Sequence, residues 1–354
     1  MLGGMSSSLA QEMRNLSILT GSPSGTYYRF GQDIAKIVRE ECDAELKVKE
    51  SEGSLANIQR LRREDSAQLA IVQQDTLEYL REAGRQDKKL QDIITKIRYV
   101  FPLYAEEIHL ITTKSSGITD FSQIAGKRIA VGNLESGTYL TTTFVLLLSR
   151  IAITPVEINE VQALPRLFLP DSSPDKIDAM FYVAGKPVSL LTKDSRASQL
   201  SLVNIRDPAV RQRYSPVKIT SDDYPWLTRD IDTVKVTSVL MSFDFRREHC
   251  LNIGMVANRI RVNLEPLQEK IGHPKWRQVD LEASVPGWER YDCVTKYLNA
   301  RVGAAGGRRC AFVEGTTAEE TVKEAPSSSP QCADKDSDNP IVRSLCNYLQ
   351  KIPQ

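Results

Sequence analysis

A tetrapeptide that occurs twice constrains this chain more than any other feature. Ser24-Gly25-Thr26-Tyr27 and Ser136-Gly137-Thr138-Tyr139 each follow a short apolar run, and each opens a segment with helical apolar spacing. In the first copy Ile18 and Leu19 end the apolar run, Gly21 and Gly25 bracket the loop, and Phe30, Ile34, Ile37 and Val38 recur at helical intervals. In the second copy Arg128 to Val131 reads as a strand, Gly132 to Gly137 as the loop, and Tyr139 to Ser149 as a helix rich in Leu and Val. A helix start carries unpaired N–H groups and partial positive charge, so each loop is a place to hold an anion. A plain strand-to-helix turn is the competing reading of either loop alone. The repetition argues for two lobes that face one cleft. Neither loop is a nucleotide signature: no Lys-Ser or Lys-Thr follows the second glycine, and the G-x-G-x-x-G pattern is absent.

Between the two copies, strand and helix signals alternate. Glu45 to Lys49 is a strand with one solvated side, and Ser54 is a good N-cap for a helix carrying Leu55, Ile58 and Leu61, with Asn57 one turn in. Leu69-Ala70-Ile71-Val72 reads as a buried parallel strand that ends at Gln73, before a helix from Thr76 to Glu82. This order predicts an α/β protein with a parallel sheet, whose ligand sites lie beyond the carboxyl ends of the strands, near Thr20, Ser51 and Gln73. The apolar stretch from Ile97 to Thr113, around Pro102, reads as a crossing between lobes, and the alternating stretch from Thr233 to Met241 as the return. Ile118 to Ile124 is expected as a short helix and Ala179 to Val183 as a buried strand. After that strand, Gly185-Lys186-Pro187 places Pro187 at a first helical position and Lys186 towards the cleft, unless Lys186 is simply a solvated lysine. Asp207 to Arg229, polar and proline-bearing with Tyr214, Tyr224 and Trp226, is expected as an excursion outside the core.

Composition narrows the partners. With 354 residues the length favours two domains, and 46 Lys plus Arg against 45 Asp plus Glu give no charge excess for nucleic acid or an anionic membrane. The aliphatic run Val145 to Leu148 is far short of the ~18 residues of a membrane helix. Ser8-Leu9-Ala10 has the small-x-small form of a cleavage site with no apolar signal core before Asn15, so a trimmed signal peptide is expected. Cys293, Cys310, Cys332 and Cys346 crowd the last quarter, with Cys42 and Cys250 isolated; disulfides in an oxidising compartment account for the cluster, unpaired thiols being the alternative. Linker-like sequence past Asp292 and a short helical pattern from Ile341 to Leu349 predict a disulfide-tied C-terminal extension. His109, His249 and His273 form no H-E-x-x-H, and neither C-x-x-C nor G-x-S-x-G occurs, so no metal, cofactor or catalytic residue is expected.

Taken together these motifs resemble the TAXI-type solute receptors of TRAP (tripartite ATP-independent periplasmic) transporters. The resemblance runs from about Leu16 to Val294: the Thr-Tyr-Tyr loop of Gly21 to Tyr28, the Ser-x-x-Asn start at Ser54 and Asn57, Leu69 to Gln73, Gly126 to Gly132 with Ser136-Gly137-Thr138, and the Gly-x-Pro turn at Gly185 and Pro187. It departs at Pro23, Ser24 and Lys186 and in everything past about Asp292. The resemblance implies an α/β, type II periplasmic binding protein fold, with residues 15–104 and 240–292 as lobe I, 105–239 as lobe II and 293–354 as the extension. It further implies a monomeric periplasmic, non-enzymatic receptor that passes a small organic anion, such as glutamate or a dicarboxylate, to TRAP permease subunits. A ligand-sensing module and an enzyme are the alternative readings. The expected ligand-binding set is Ser24, Gly25, Thr26, Tyr27, Tyr28, Ser54, Asn57, Gln73, Ser136, Gly137, Thr138, Tyr182, Gly185 and Lys186.

Overall fold

The structure is a computed structural model that describes residues 16–61, 67–85, 88–246, 248–305 and 308–312. The chain begins with β1 (Leu16–Leu19), α1 (Thr26–Cys42), β2 (Leu46–Lys49), α2 (Ser54–Leu61) and β3 (Leu69–Gln73). Every residue of β1 and β3 is buried, as strands covered on both faces require. Phe30, Ile34, Ile37 and Val38 form the buried stripe of α1, and each fully buried aliphatic or aromatic side chain there contributes about 1.5–3 kcal/mol. The helices α3 (Gln74–Gly84) and α4 (Lys88–Ile94) then lead into β4 (Ile97–Thr113), a strand of 17 residues.

The same pattern is repeated by β5 (Arg128–Ala130), α5 (Gly137–Ser149), β6 (Thr154–Val156), α6 (Glu160–Arg166) and β7 (Ala179–Ala184). After α7 (Ser189–Lys193), β8 (Leu200–Leu202), α8 (Pro208–Arg213) and β9 (Ser215–Ile219), the chain returns along β10 (Ile231–Phe243) to α9 (Glu248–Val262).

Strand order shows how the two halves join. The main path runs β2-β1-β3-β10-β4-β7-β5-β6. Each half is thus a parallel trio, β2-β1-β3 or β6-β5-β7, closed by one long antiparallel strand, β10 for the first and β4 for the second. The long strands pair with each other from Lys235–Glu107 to Phe243–Ile97. Both therefore pass from one lobe to the other, as the apolar runs around Pro102 and Val239 predict. Pro102 has no N–H to offer a ladder, and β4 meets β7 only from Glu107 onward; the opposite edge, on β10, is interrupted by register shifts on either side of Val239, the partner of Pro102.

Four expectations are corrected. The stretch 207–229 is not an excursion: Tyr214 and Tyr224 are buried, with their hydroxyls on Asp75 and His109. A phenol that buries its ring and hydrogen-bonds its tip is core material, which a polar, proline-bearing stretch conceals. The expected helix 118–124 is a shorter 3-10 turn, Phe121–Ile124, started by an Asp120 capping box. Pro187 does not open a helix; it follows a cis Lys186–Pro187 bond, and α7 begins at Ser189. Finally, the clustered cysteines pair outward: Cys310 with Cys42 at the end of α1, and Cys293 with Cys250 on α9. The reason is tertiary. The helix Asp292–Tyr297 packs on α9, and the strand Arg308–Phe312 packs on α1. Cys332, Cys346, the linkers after 325, the expected helix 341–349 and Ser8-Leu9-Ala10 lie outside the described residues.

The Cys250–Cys293 bridge closes a separation of 43 residues, so replacing both by alanine removes a restraint on the unfolded chain. The expected loss is about 2–4 kcal/mol in urea unfolding of the oxidised protein.

Candidate functional site

One cleft opens where the carboxyl ends of both parallel trios meet. It encloses about 620 Å³ of empty space, part of it open to solvent. Its walls are built pairwise from equivalent pieces of the two lobes: the starts of α1 and α5, the loop before α2, the end of β3, and the end of β7 with the start of α6. Of the expected residues, Gly25, Thr26, Tyr27, Ser54, Gln73, Ser136, Gly137, Thr138 and Tyr182 line it. The repeated tetrapeptide therefore does bring two helix starts to one space.

The hydroxyls, however, are largely occupied by the protein. Thr26 Oγ1 donates to Gly185 O at 3.1 Å, across the two lobes. Tyr27 donates to Glu106 Oε2 at 2.8 Å. Ser136 Oγ caps α5 by accepting from Tyr139 N–H at 3.0 Å, and Thr138 Oγ1 accepts from Val183 N–H at 3.2 Å. Ser54 Oγ accepts from Gln73 N–H at 3.0 Å. What faces the cleft unserved is backbone. No side chain caps α1, whose N-cap is Gly25, and the Ser136 cap serves only one N–H of the first turn of α5.

Five expected residues stand off the wall. Asn57 is fully buried and spends its side chain on structure: Nδ2 donates to Thr20 O at 2.6 Å and Ile71 O at 2.8 Å, tying the ends of β1 and β3, and Oδ1 lies 2.6 Å from Ser51 Oγ. Lys186 turns its ammonium to Asp223 at 2.7 Å and Lys218 O at 2.6 Å, while its backbone N–H donates to Glu107. Ser24 meets Ser22 Oγ at 2.8 Å and Glu160 at 3.4 Å, Gly185 supplies its carbonyl to Thr26, and Tyr28 is half-buried outside the cleft.

Among the lining residues absent from the expected set are three acidic ones. Glu52, Glu106 and Glu160 line the cleft together with Asn133, Asn159 and Phe181, and no Lys, Arg or His is among the lining residues. Glu106 sits on β4 at 3 % exposure, and burial, reinforced by Asp75 and Glu107, pushes its carboxyl up to about 8. Its neighbour Glu107 points to the other face, as alternation along a strand requires, and is paired with Lys275 Nζ at 2.7 and 2.9 Å. A signal for both was present, two adjacent glutamates inside a mostly apolar strand.

The lobes touch around this space. Leu55 and Ala56 N–H both donate to Glu135 O at 3.1 Å, so the start of α2 is sealed by the second lobe. Behind the cleft Asp75 accepts from Thr141 at 2.6 Å and Tyr214 at 2.9 Å, with Arg213 and Glu78 paired beside it. Burial raises Asp75 to about 6. At the centre Gly137 rests on the first lobe: a Cβ there would collide with Gln73 Oε1 and meet Ser54 Oγ at 2.7 Å.

A two-lobed α/β protein with a cleft between the lobes is thus defined by the geometry. The sequence model of the NMT1-like family matches residues 18–247, and this chain belongs to that family. Among solved structures, it is similar to one described as a periplasmic transporter (14 % identity, 71 % of this chain and 83 % of the other, TM-score 0.48). It is also similar to the periplasmic binding protein BugD (9 %, 74 % and 84 %, TM-score 0.48) and to the alkanesulfonate-binding protein SsuA from Xanthomonas axonopodis pv. citri (14 %, 72 % and 74 %, TM-score 0.41). The architecture of this chain stands on its own strand order rather than on these likenesses.

Two outcomes follow. Gly137→Ala should leave far-UV circular dichroism unchanged and global stability within about 1 kcal/mol, since alanine suits a helix. The same variant should hold the lobes apart, read as a larger radius of gyration in small-angle scattering. For Glu106, a folded pKa above the unfolded 4.5 means stability that is present below pH 4.5 and lost as pH rises to about 8. Against Glu106→Gln, wild-type stability should therefore fall by at most about 1.4 kcal/mol per pH unit across that window and level off above it, measured by urea midpoints.

Proposed function

We propose that this chain is an extracytoplasmic solute-binding receptor that captures a small carboxylate-bearing molecule and hands it to a membrane permease, with no bond made or broken. The observation that carries the reading is the pair of helix starts, the uncapped α1 and the Ser136-capped α5, brought from two lobes onto one cleft. Their first-turn N–H groups are donors with partial positive charge, and hydrogen bonds to a charged group are worth roughly 1.5–3 kcal/mol each, so a few suffice for micromolar affinity. Thr26, Tyr27, Gly137 and Thr138 contribute backbone N–H groups to the carboxylate, Gly25 N–H being held by Ser22 O, while Ser54, Gln73 and Tyr182 shape the remainder of the space. Residues 15–104 with 240–292 act as one jaw and 105–239 as the other. The hinge is β4 with β10, and closure creates the surface a permease reads.

Membership of the NMT1-like family supports a binding role, and the sequence resemblance to TAXI-type receptors favours a TRAP permease as the recipient. Two disulfides fit an oxidising compartment such as the periplasm. Among the described residues no helix is long and apolar enough to cross a membrane, and no cluster of His, Cys, Asp and Glu is arranged to hold a metal ion.

The test is a thermal-shift and calorimetric screen against amino acids, dicarboxylates and aromatic acids. A ligand at a hundredfold over its Kd should add about 2.7 kcal/mol, a rise of a few degrees in Tm. The ligand should be recovered unaltered by mass spectrometry. No shift with any small acid, or turnover of the bound molecule, would sink the receptor reading.

A further inference from the structure

The two helix starts supply positive potential for one carboxylate, and the rest of the cleft is of the opposite sign. Three carboxyl side chains line it and no basic one does. Glu106 is the deepest of these on the cleft wall, and the groups that touch its carboxyl are donors: the Tyr27 hydroxyl at 2.8 Å and the side chain of Gln73. Tyr27 and Gln73 thus hold the group as an acceptor that faces the ligand space. Two lysines of this region are committed elsewhere, Lys275 to Glu107 and Lys186 to Asp223. A buried carboxyl ionises readily only beside a cation, and no lining residue supplies one to Glu106.

We propose, building on the receptor reading above, that Glu106 is the subsite for a cationic group of the ligand, so that the cleft selects molecules carrying both a carboxylate and a protonated amine and rejects dicarboxylates. A second ligand carboxylate would find no basic side chain among the lining residues, would face Glu160, and could be met by Glu106 only in its protonated form. An ammonium there gains an acceptor already oriented by Tyr27. Its arrival converts the Glu106 carboxyl to carboxylate and sends that proton to solvent, the ligand keeping its own. The charged and titratable groups facing Glu106 are Tyr27 on α1, Asp75 on α3, Tyr104 and Glu107 on its own strand, Tyr182 on β7, and Lys275. The tyrosines are pushed up by burial and stay neutral, and Lys275 is held by Glu107. Asp75, raised to about 6, titrates below the window in which Glu106 does.

The test uses matched pairs by titration calorimetry at pH 7: glutamate with glutarate, alanine with propionate, phenylalanine with 3-phenylpropionate. At least one amino acid should bind ten or more times tighter than its deamino partner, with a proton released that is detected by repeating the titration in buffers of different ionisation enthalpy. Glu106→Gln, checked for native circular dichroism, should lose at least tenfold in affinity for that amino acid, narrow the gap to the deamino acid and release no proton. Glutarate or another dicarboxylate binding as tightly as the amino acids would overturn the inference and leave the receptor reading standing. So would discrimination in Glu106→Gln equal to wild type. Failure of every acid in the panel would overturn both. The matched-pair comparison stands on wild-type protein, so it holds even where the variant folds poorly.

Discussion

The antiparallel ladder between β4 and β10 is the contact on which everything else rests. Each of these strands belongs to both lobes, closing one parallel trio with one end and the other trio with the opposite end. In the proposed receptor, closure of the lobes bends these two adjacent, hydrogen-bonded strands. Glu106 and Glu107 lie on β4 where its pairing with β7 begins. The wall of the cleft and the strand that joins the lobes are thus the same stretch of chain.

Around this ladder the chain spends its side-chain polarity on itself. Thr26 bridges to Gly185, Thr138 to Val183, Ser54 to Gln73, and Asn57 to the ends of β1 and β3. Buried polar groups must find partners, and at a closed interface the partners are other protein groups. The free donors that remain are main-chain N–H groups at helix starts, which cost no side-chain entropy to present. The charged side chains that line the space are carboxyls, Glu52, Glu106 and Glu160.

The sequence made the frame legible because its signals are local. Alternation of short apolar runs with helical stripes gave β1 through α3 nearly residue for residue, and the doubled Ser-Gly-Thr-Tyr located both helix starts. Roles that depend on the far side of the fold were not legible. Thr138 looks like a ligand hydroxyl until Val183 is brought against it, and Lys186 looks like a cleft cation until β9 and Asp223 claim it. Glu107 finds its partner 168 positions away, a pairing no spacing encodes. Tyr214 and Tyr224 were hidden for the same reason: their polar neighbours mark the surface of a loop whose aromatic rings are inside. Glu106 went unread although its signal was local. A pair of carboxylates interrupting a buried strand is a local anomaly, and alternation sends one of the two to each face.

The Cys42–Cys310 bridge has a topological meaning beyond its bond. It spans a separation of 268 residues, and the entire second lobe lies between its two ends. The second lobe is therefore an insertion inside a covalent ring whose clasp sits on the first lobe. A break in the backbone anywhere on that jaw would leave one molecule rather than two, held by sulfur on the far side. The two chain segments that enter the jaw would stay tethered at their base, and the lobe would retain a route back to its native partner without diffusion of a detached fragment.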